Sequence, residues 1–203
     1  EYLSPNTLAE ALRLLDNFRD HGKILAGGTD LLVQMQNREI KPKALIDIKR
    51  IPELHGMSSL TDGGLLIRPL IRVADLALMN GFDNPYSILT QAALTIGSMQ
   101  IRNRATIGGN ICRAAPSADL VPALLVLGAR ARIQSLGHER WVALEEFFMG
   151  PGKTVLQPDE LLTEIQIPSL PSDGIGVYKK HGPRKAMDLA TAGVAVFLRL
   201  DSA

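Results

Sequence analysis

The 203-residue sequence contains one cysteine, Cys112. A single thiol excludes an internal disulfide framework and cannot by itself hold a metal cluster. It fits a reducing, cytoplasmic setting. The four histidines, His21, His55, His138 and His181, are scattered without metal-site spacing. There is no surplus of charge: 22 basic against 21 acidic residues leave a net +1. No stretch is strongly basic, so no nucleic-acid footprint shows. No apolar run approaches the roughly 20 residues that span a bilayer. The longest, residues 120–127 and 190–198, suit core elements of a soluble protein. The opening Glu1-Tyr2-Leu3-Ser4-Pro5 lacks the pattern of a signal peptide.

Catalytic and nucleotide motifs are equally scarce. No G-x-G-x-x-G occurs, which removes the nicotinamide fingerprint. Gly150-Pro151-Gly152-Lys153-Thr154 imitates the end of a P-loop, but Phe147 stands where the first glycine belongs and Pro158 would break the following helix. Neighbouring acids in Glu145-Glu146 and Asp159-Glu160 point apart on a helix or a strand and read as solvated surface. No serine-histidine-acid or cysteine-histidine arrangement has defensible spacing. Repeats and low-complexity tracts are absent. Any chemistry is expected to reside in a bound cofactor.

Against that background two glycine pairs stand out. Ala26-Gly27-Gly28-Thr29-Asp30 follows the apolar Ile24-Leu25, and Thr106-Ile107-Gly108-Gly109-Asn110 leads through Ala115-Pro116-Ser117-Ala118 to Asp119. Each is expected to lie between a strand-like approach and a helix-like exit. Paired glycines let backbone N–H groups converge on a phosphate, and they equally serve a tight structural turn. Thr29 offers a donor at a helix start, while Asp30 is expected to cap that helix or bond a loop amide rather than face phosphate. Asn110 can donate and accept, and Thr106 can donate. Asp119 reads either as a stabiliser of the helix after it or as acceptor for a sugar-alcohol hydroxyl. Two such cradles suggest one extended ligand with a dinucleotide-like diphosphate.

The apolar fraction is 46% and the charged fraction 21%, ordinary for a globular protein. Thr7-Leu8-Ala9-Glu10 is a capping box, and Leu8, Ala11, Leu12, Leu15 and Phe18 recur at helical spacing over 7–19. Strands are expected at 23–26 and 44–48 with a short helix at 31–37 between them. A second unit carries strands at 65–68, 130–135 and 161–167 and helices at 72–79, 87–94 and 119–127. Prolines and glycines over 168–176 mark a boundary. The resulting division is 1–54, 55–171 and 172–203, in an α+β fold. Residues 192–200 read as a buried strand. Such a strand at a terminus implies sheet partners elsewhere, so the chain is expected to be a fragment or a nicked chain.

The stretch from Thr95 through Ile96, Arg102 and Thr106 to Ile111 closely resembles the FAD-binding (medium) subunits of the molybdenum hydroxylases, the family of carbon monoxide dehydrogenase and xanthine dehydrogenase. Ala26–Leu31, Pro116–Leu124, Gly152–Thr154, Pro158–Leu162 and Pro183–Ala190 follow in family order, so the resemblance covers essentially the whole chain. It implies a vanillyl-alcohol-oxidase-like (PCMH-type) fold, with FAD between two α+β subdomains and the start of a C-terminal α+β domain. By that likeness Leu25, Ala26, Gly27, Gly28, Thr29, Asp30, Leu31 and Leu32 wrap the diphosphate and ribityl region together with Thr106, Ile107, Gly108, Gly109 and Asn110. Asp119 bonds a flavin hydroxyl, Leu162 packs near the isoalloxazine, and Lys179 lies near the ring. Ile96 stands where one branch has a stacking aromatic, and Leu189 where some relatives carry tyrosine. With no histidine or cysteine in the first loop, the flavin is expected to be noncovalent.

The resemblance further implies an electron-transfer role in a dimer of heterotrimers. Molybdopterin would lie on a large partner subunit and [2Fe-2S] clusters on a small one, and electrons would leave for an external acceptor. A stand-alone flavin reductase of the same fold and a flavin-free scaffold are the alternatives.

Overall fold

A computed structural model describes residues 1–79, 85–184 and 186–199. Lys185 of the matched 183–190 stretch and Leu200 of the expected terminal strand lie outside the described residues.

The chain opens with β1 (Tyr2–Leu3), α1 (Leu8–Phe18), β2 (Gly22–Leu25), α2 (Leu31–Gln36) and β3 (Ala44–Asp47). The Thr7 hydroxyl accepts from the Glu10 amide, and Glu10 reaches back to the Asn6 amide at 2.9 Å, so the capping box closes one residue early. Ala11, Leu12 and Leu15 fall on one helical face and are buried. That face covers a parallel sheet of order β1-β3-β2. A first hydrophobic core gathers these residues with Ile46, Ile48, Ile51 and Leu54, and draws in Leu70 and Leu161 from farther along the chain.

Then follow β4 (Met57–Ser59), β5 (Leu65–Ile67), α3 (Val73–Ala77), α4 (Ser87–Leu94), α5 (Met99–Arg102), α6 (Ile107–Arg113), α7 (Leu120–Val126), β6 (Arg130–Ser135), β7 (His138–Ala143), α8 (Leu144–Phe147), β8 (Phe148–Gly150), β9 (Lys153–Thr154) and β10 (Leu161–Ile167). An antiparallel sheet of order β4-β5-β10-β6-β7 backs the second core. Leu162, Ile165 and Ile167 from β10, Ile88 and Leu89 from α4, Ile107 and Ile111 from α6, and Leu120 and Leu124 from α7 pack there. Within the acidic pair 159–160, Glu160 is not solvated surface. It is buried, accepts both Arg140 nitrogens at 2.9 and 2.8 Å, and accepts the Gln157 amide at 2.8 Å. Burial alone would raise its pKa, and the Arg140 and Gln157 hydrogen bonds outweigh that and lower it.

The chain ends in a separate antiparallel hairpin, β11 (Ile175–His181) and β12 (Ala192–Leu198). Tyr178, Ala195 and Phe197 turn inward onto the second core. The expectation of a buried terminal strand fails here. Val194, Val196 and Leu198 are exposed, because β11 covers one edge of β12 and no other strand is hydrogen-bonded to it among the described residues. The expected α+β class is the observed one.

Candidate cofactor-binding site

Between the two cores runs a cavity of about 730 Å³, in the range of roughly 300–1,000 Å³ usual for small-molecule and cofactor sites. The 26–30 loop, the start of α6, the α7 N-terminus and β10 form its walls.

The first loop leaves β2 as the parallel ladder ends, with Ile48 donating to the Leu25 carbonyl at 3.2 Å. Gly28 takes φ of +77°, where a side chain is strained, and this turns the chain into α2. Among the described residues, the amides of Gly27, Gly28, Thr29 and Asp30 make no protein hydrogen bond, while Gly28 and Asp30 carbonyls start the helical ladder. Four successive residues with unbonded amides thus line the cavity. Asp30 does not cap α2; its carboxylate lies 3.5 Å from Arg113 Nε across the loop.

The second glycine pair is not a loop of the expected kind. Its approach is α5 and a single antiparallel bridge, Arg72 to Thr106, and Gly108 and Gly109 belong to the first turn of α6. Their amides are already used: Gly108 donates to the Pro69 carbonyl at 2.9 Å and Gly109 to the Thr106 hydroxyl at 3.1 Å. The physical reason for glycine here is proximity. A Cβ on Gly108 would lie 2.5 Å from Pro69 Cβ. At the next residue, Asn110 Oδ1 is buried without a hydrogen-bond partner. Such an orphaned acceptor is costly unless something else meets it.

Asp119 heads α7 but makes no cap bond to it. Its carboxylate instead accepts the Tyr178 hydroxyl at 2.6 Å and Lys180 Nζ at 2.9 Å, and Lys180 also donates to the Thr95 carbonyl at 3.1 Å. Lys179 is not brought to the cavity wall. Strand alternation turns it outward with Val177, while Tyr178 and Lys180 share the inner face.

The cavity wall brings together Ala26, Gly27, Gly28, Thr29, Asp30, Leu31, Ile96, Thr106, Gly108, Gly109, Asn110, Asp119 and Leu162. Leu25 and Ile107 lie behind it as buried core, Leu32 is exposed, and with Lys179 these fall outside the lining. Lys23, Gln34, Arg113, Ser117 and Arg184 line it without having been singled out. For Arg113 a signal existed, since it follows Asn110 by three residues on the same helical stripe. Cys112 also lines the cavity, and the protein packed around it pushes its thiol up to about 12.

Unbonded amides, an orphaned amide oxygen and apolar flanks such as Ile96 and Leu162 give this α+β domain a cavity of the kind that holds a small molecule or cofactor. Comparison with known proteins specifies it further. The family described as "FAD binding domain in molybdopterin dehydrogenase" matches residues 1–170, and the chain belongs to that family of oxidoreductase subunits. It is 38% identical over 198 residues to the xanthine dehydrogenase FAD-binding subunit of Escherichia coli O157:H7, covering 97% of this chain and 67% of that protein. To the carbon monoxide dehydrogenase medium chain of Hydrogenophaga pseudoflava it is 35% identical over 200 residues, covering 98% and 69%. A solved carbon monoxide dehydrogenase from the same organism, lacking the Mo-pyranopterin moiety, superposes with a TM-score of 0.94 at 34% identity, over 100% of this chain and 70% of that one. Quinoline 2-oxidoreductase from Pseudomonas putida 86 gives 0.92 at 25% identity. FAD is therefore the cofactor of this domain, and the donors and acceptors left open in the cavity fit it.

Proposed function

We propose that the chain is the flavin-bearing part of an electron-transfer subunit in a molybdopterin-dependent hydroxylase or dehydrogenase. The observation that carries this reading is that one cavity is lined both by Gly27–Asp30, whose amides are unbonded, and by Asn110, whose Oδ1 is buried without a partner. Bound noncovalently, FAD supplies one- and two-electron chemistry between a partner's [2Fe-2S] clusters and an external acceptor. The amides of the first loop hold the diphosphate, Asn110 and Asp119 hold hydroxyls, and Ile96 and Leu162 exclude water beside the ring system. Arg113 and Arg184 supply positive charge along the same wall.

The separation of the two hydrophobic cores supports a subdomain limit near residue 54, with Leu70 and Leu161 crossing back to the first core, and the separate 175–198 hairpin supports one near 171 even though its Tyr178, Ala195 and Phe197 pack onto the second core. An iron-sulfur small subunit and a molybdopterin large subunit complete the assembly as a dimer of heterotrimers in the cytoplasm. Among the described residues no helix is long and apolar enough to cross a membrane. The test is isolation of the full-length subunit from its host with its native partners. Stoichiometric FAD together with an iron-sulfur and a molybdenum subunit supports the reading, and a protein that stays colourless after incubation with FAD removes it.

A further inference from the structure

Asp119 is buried at the cavity wall, yet its own helix does nothing to orient it, because its side chain makes no cap bond. Among the described residues, only the Tyr178 hydroxyl and Lys180 Nζ bond its carboxylate. The tyrosine is held with unusual care. Its amide donates to Gln91 Oε1 at 3.0 Å while Gln91 Nε2 donates to the Gly176 carbonyl at 3.1 Å, so one side-chain amide of α4 grips the edge of β11 as a neighbouring strand would. Opposite Lys180 in the hairpin stands Gly193, where a Cβ would lie 2.7 Å from the Tyr178 hydroxyl. Glycine at that position leaves the path by which the hydroxyl reaches Asp119. Burial first, and the adjoining Asp119 carboxylate second, push the phenol upward, so it remains a donor throughout the working pH range.

Resting on the reading of the cavity as the FAD site, we propose that Tyr178 is a positioning residue for the flavin, fixing the Asp119 carboxylate in the orientation that receives a cofactor hydroxyl. The phenol bonds Oδ1 and Lys180 bonds Oδ2, which leaves free lone pairs on a carboxylate that lines the cavity. Removing the phenol frees the carboxylate to rotate toward Lys180, and the cofactor loses a preoriented acceptor.

The experiment is FAD titration of the deflavinated full-length subunit, followed by flavin fluorescence. Tyr178→Phe keeps the ring in the core and is expected to weaken FAD binding by roughly 10–100-fold, the scale of one hydrogen bond to a charged group. Gly193→Ala, which obstructs the hydroxyl without removing it, is expected to weaken binding in the same direction. In an Asp119→Ala background Tyr178→Phe is expected to cost nothing more, whereas a hydroxyl that merely stabilised the fold would cost the same in both backgrounds. Undiminished FAD affinity in Tyr178→Phe, or additive losses, overturns the proposal and leaves the cavity's identity intact. Failure of the unaltered subunit to bind FAD overturns both.

Discussion

A Cβ atom on Gly27 would lie 2.1 Å from the carbonyl oxygen of Arg104 and 3.0 Å from the Cα of Ala105. The two glycine segments thus touch backbone to backbone, and that contact closes one end of the cavity. Gly27→Ala must push the first loop away from the segment leading into α6. It is expected to lower stability by about 1–3 kcal/mol, the scale of overpacking at a tight site, and to abolish FAD retention. Denaturant melts and the flavin absorbance of the purified protein check both.

Gly108→Ala meets Pro69, both its side chain and, at 2.9 Å, its carbonyl oxygen. It is expected to cost stability on a similar scale despite alanine's better helix propensity. Calorimetric melting of the flavin-free protein reads this out, because the clash lies in the fold and not in the ligand.

Glu160 is expected to contribute pH-dependent stability. Its folded pKa lies below the ordinary carboxylate value, so its contribution is present above the unfolded pKa of about 4.3 and is lost as pH falls through the folded one. Glu160→Gln leaves Arg140 beside a neutral partner and is expected to cost about 1–3 kcal/mol at pH 7. The gap between variant and parent closes toward pH 3. Denaturation midpoints across pH 3–7 measure it.

Much of this was legible in the chain itself. Helix 8–18 follows from its capping box and apolar stripe, and the strands at 130–135 and 161–167 from their alternation. What escaped reading depends on long-range contact. That the Gly108 amide is consumed follows from where Pro69 sits, which no local pattern encodes, whereas the Gly109 amide is taken by Thr106, the local N-cap of α6. The burial of Glu160 requires Arg140, brought alongside by the fold. Lys179 and Lys180 differ by one step, and a single step on a strand exchanges the two faces.

Cys112 is expected to react slowly with alkylating reagents. With its pKa pushed to about 12, the thiolate is a minute fraction at pH 7, and the rate should climb about tenfold per pH unit up to pH 10 without levelling. Because the residue lines the cavity, saturating FAD should slow the reaction further at each pH. Mass spectrometry of time points with iodoacetamide follows both effects.

Arg113 and Asp30 form an exposed pair at 3.5 Å, so Arg113→Ala is expected to alter stability by no more than about 0.5 kcal/mol. Its consequence should appear in binding instead. Loss of a cation from the wall proposed to carry the diphosphate is expected to weaken FAD affinity by about tenfold, with the deficit shrinking as ionic strength rises. Titrations at low and high salt distinguish this from a steric effect.

The cavity lies where two separate hydrophobic cores meet, with β2 and its loop on one side and α6, α7 and β10 largely on the other. A molecule seated there is the mortar between two stones. Its removal takes away contacts shared by both halves, so limited proteolysis of the flavin-free protein should first cut around the seam and spare the interiors. The same seam makes melting temperature a direct gauge of cofactor occupancy.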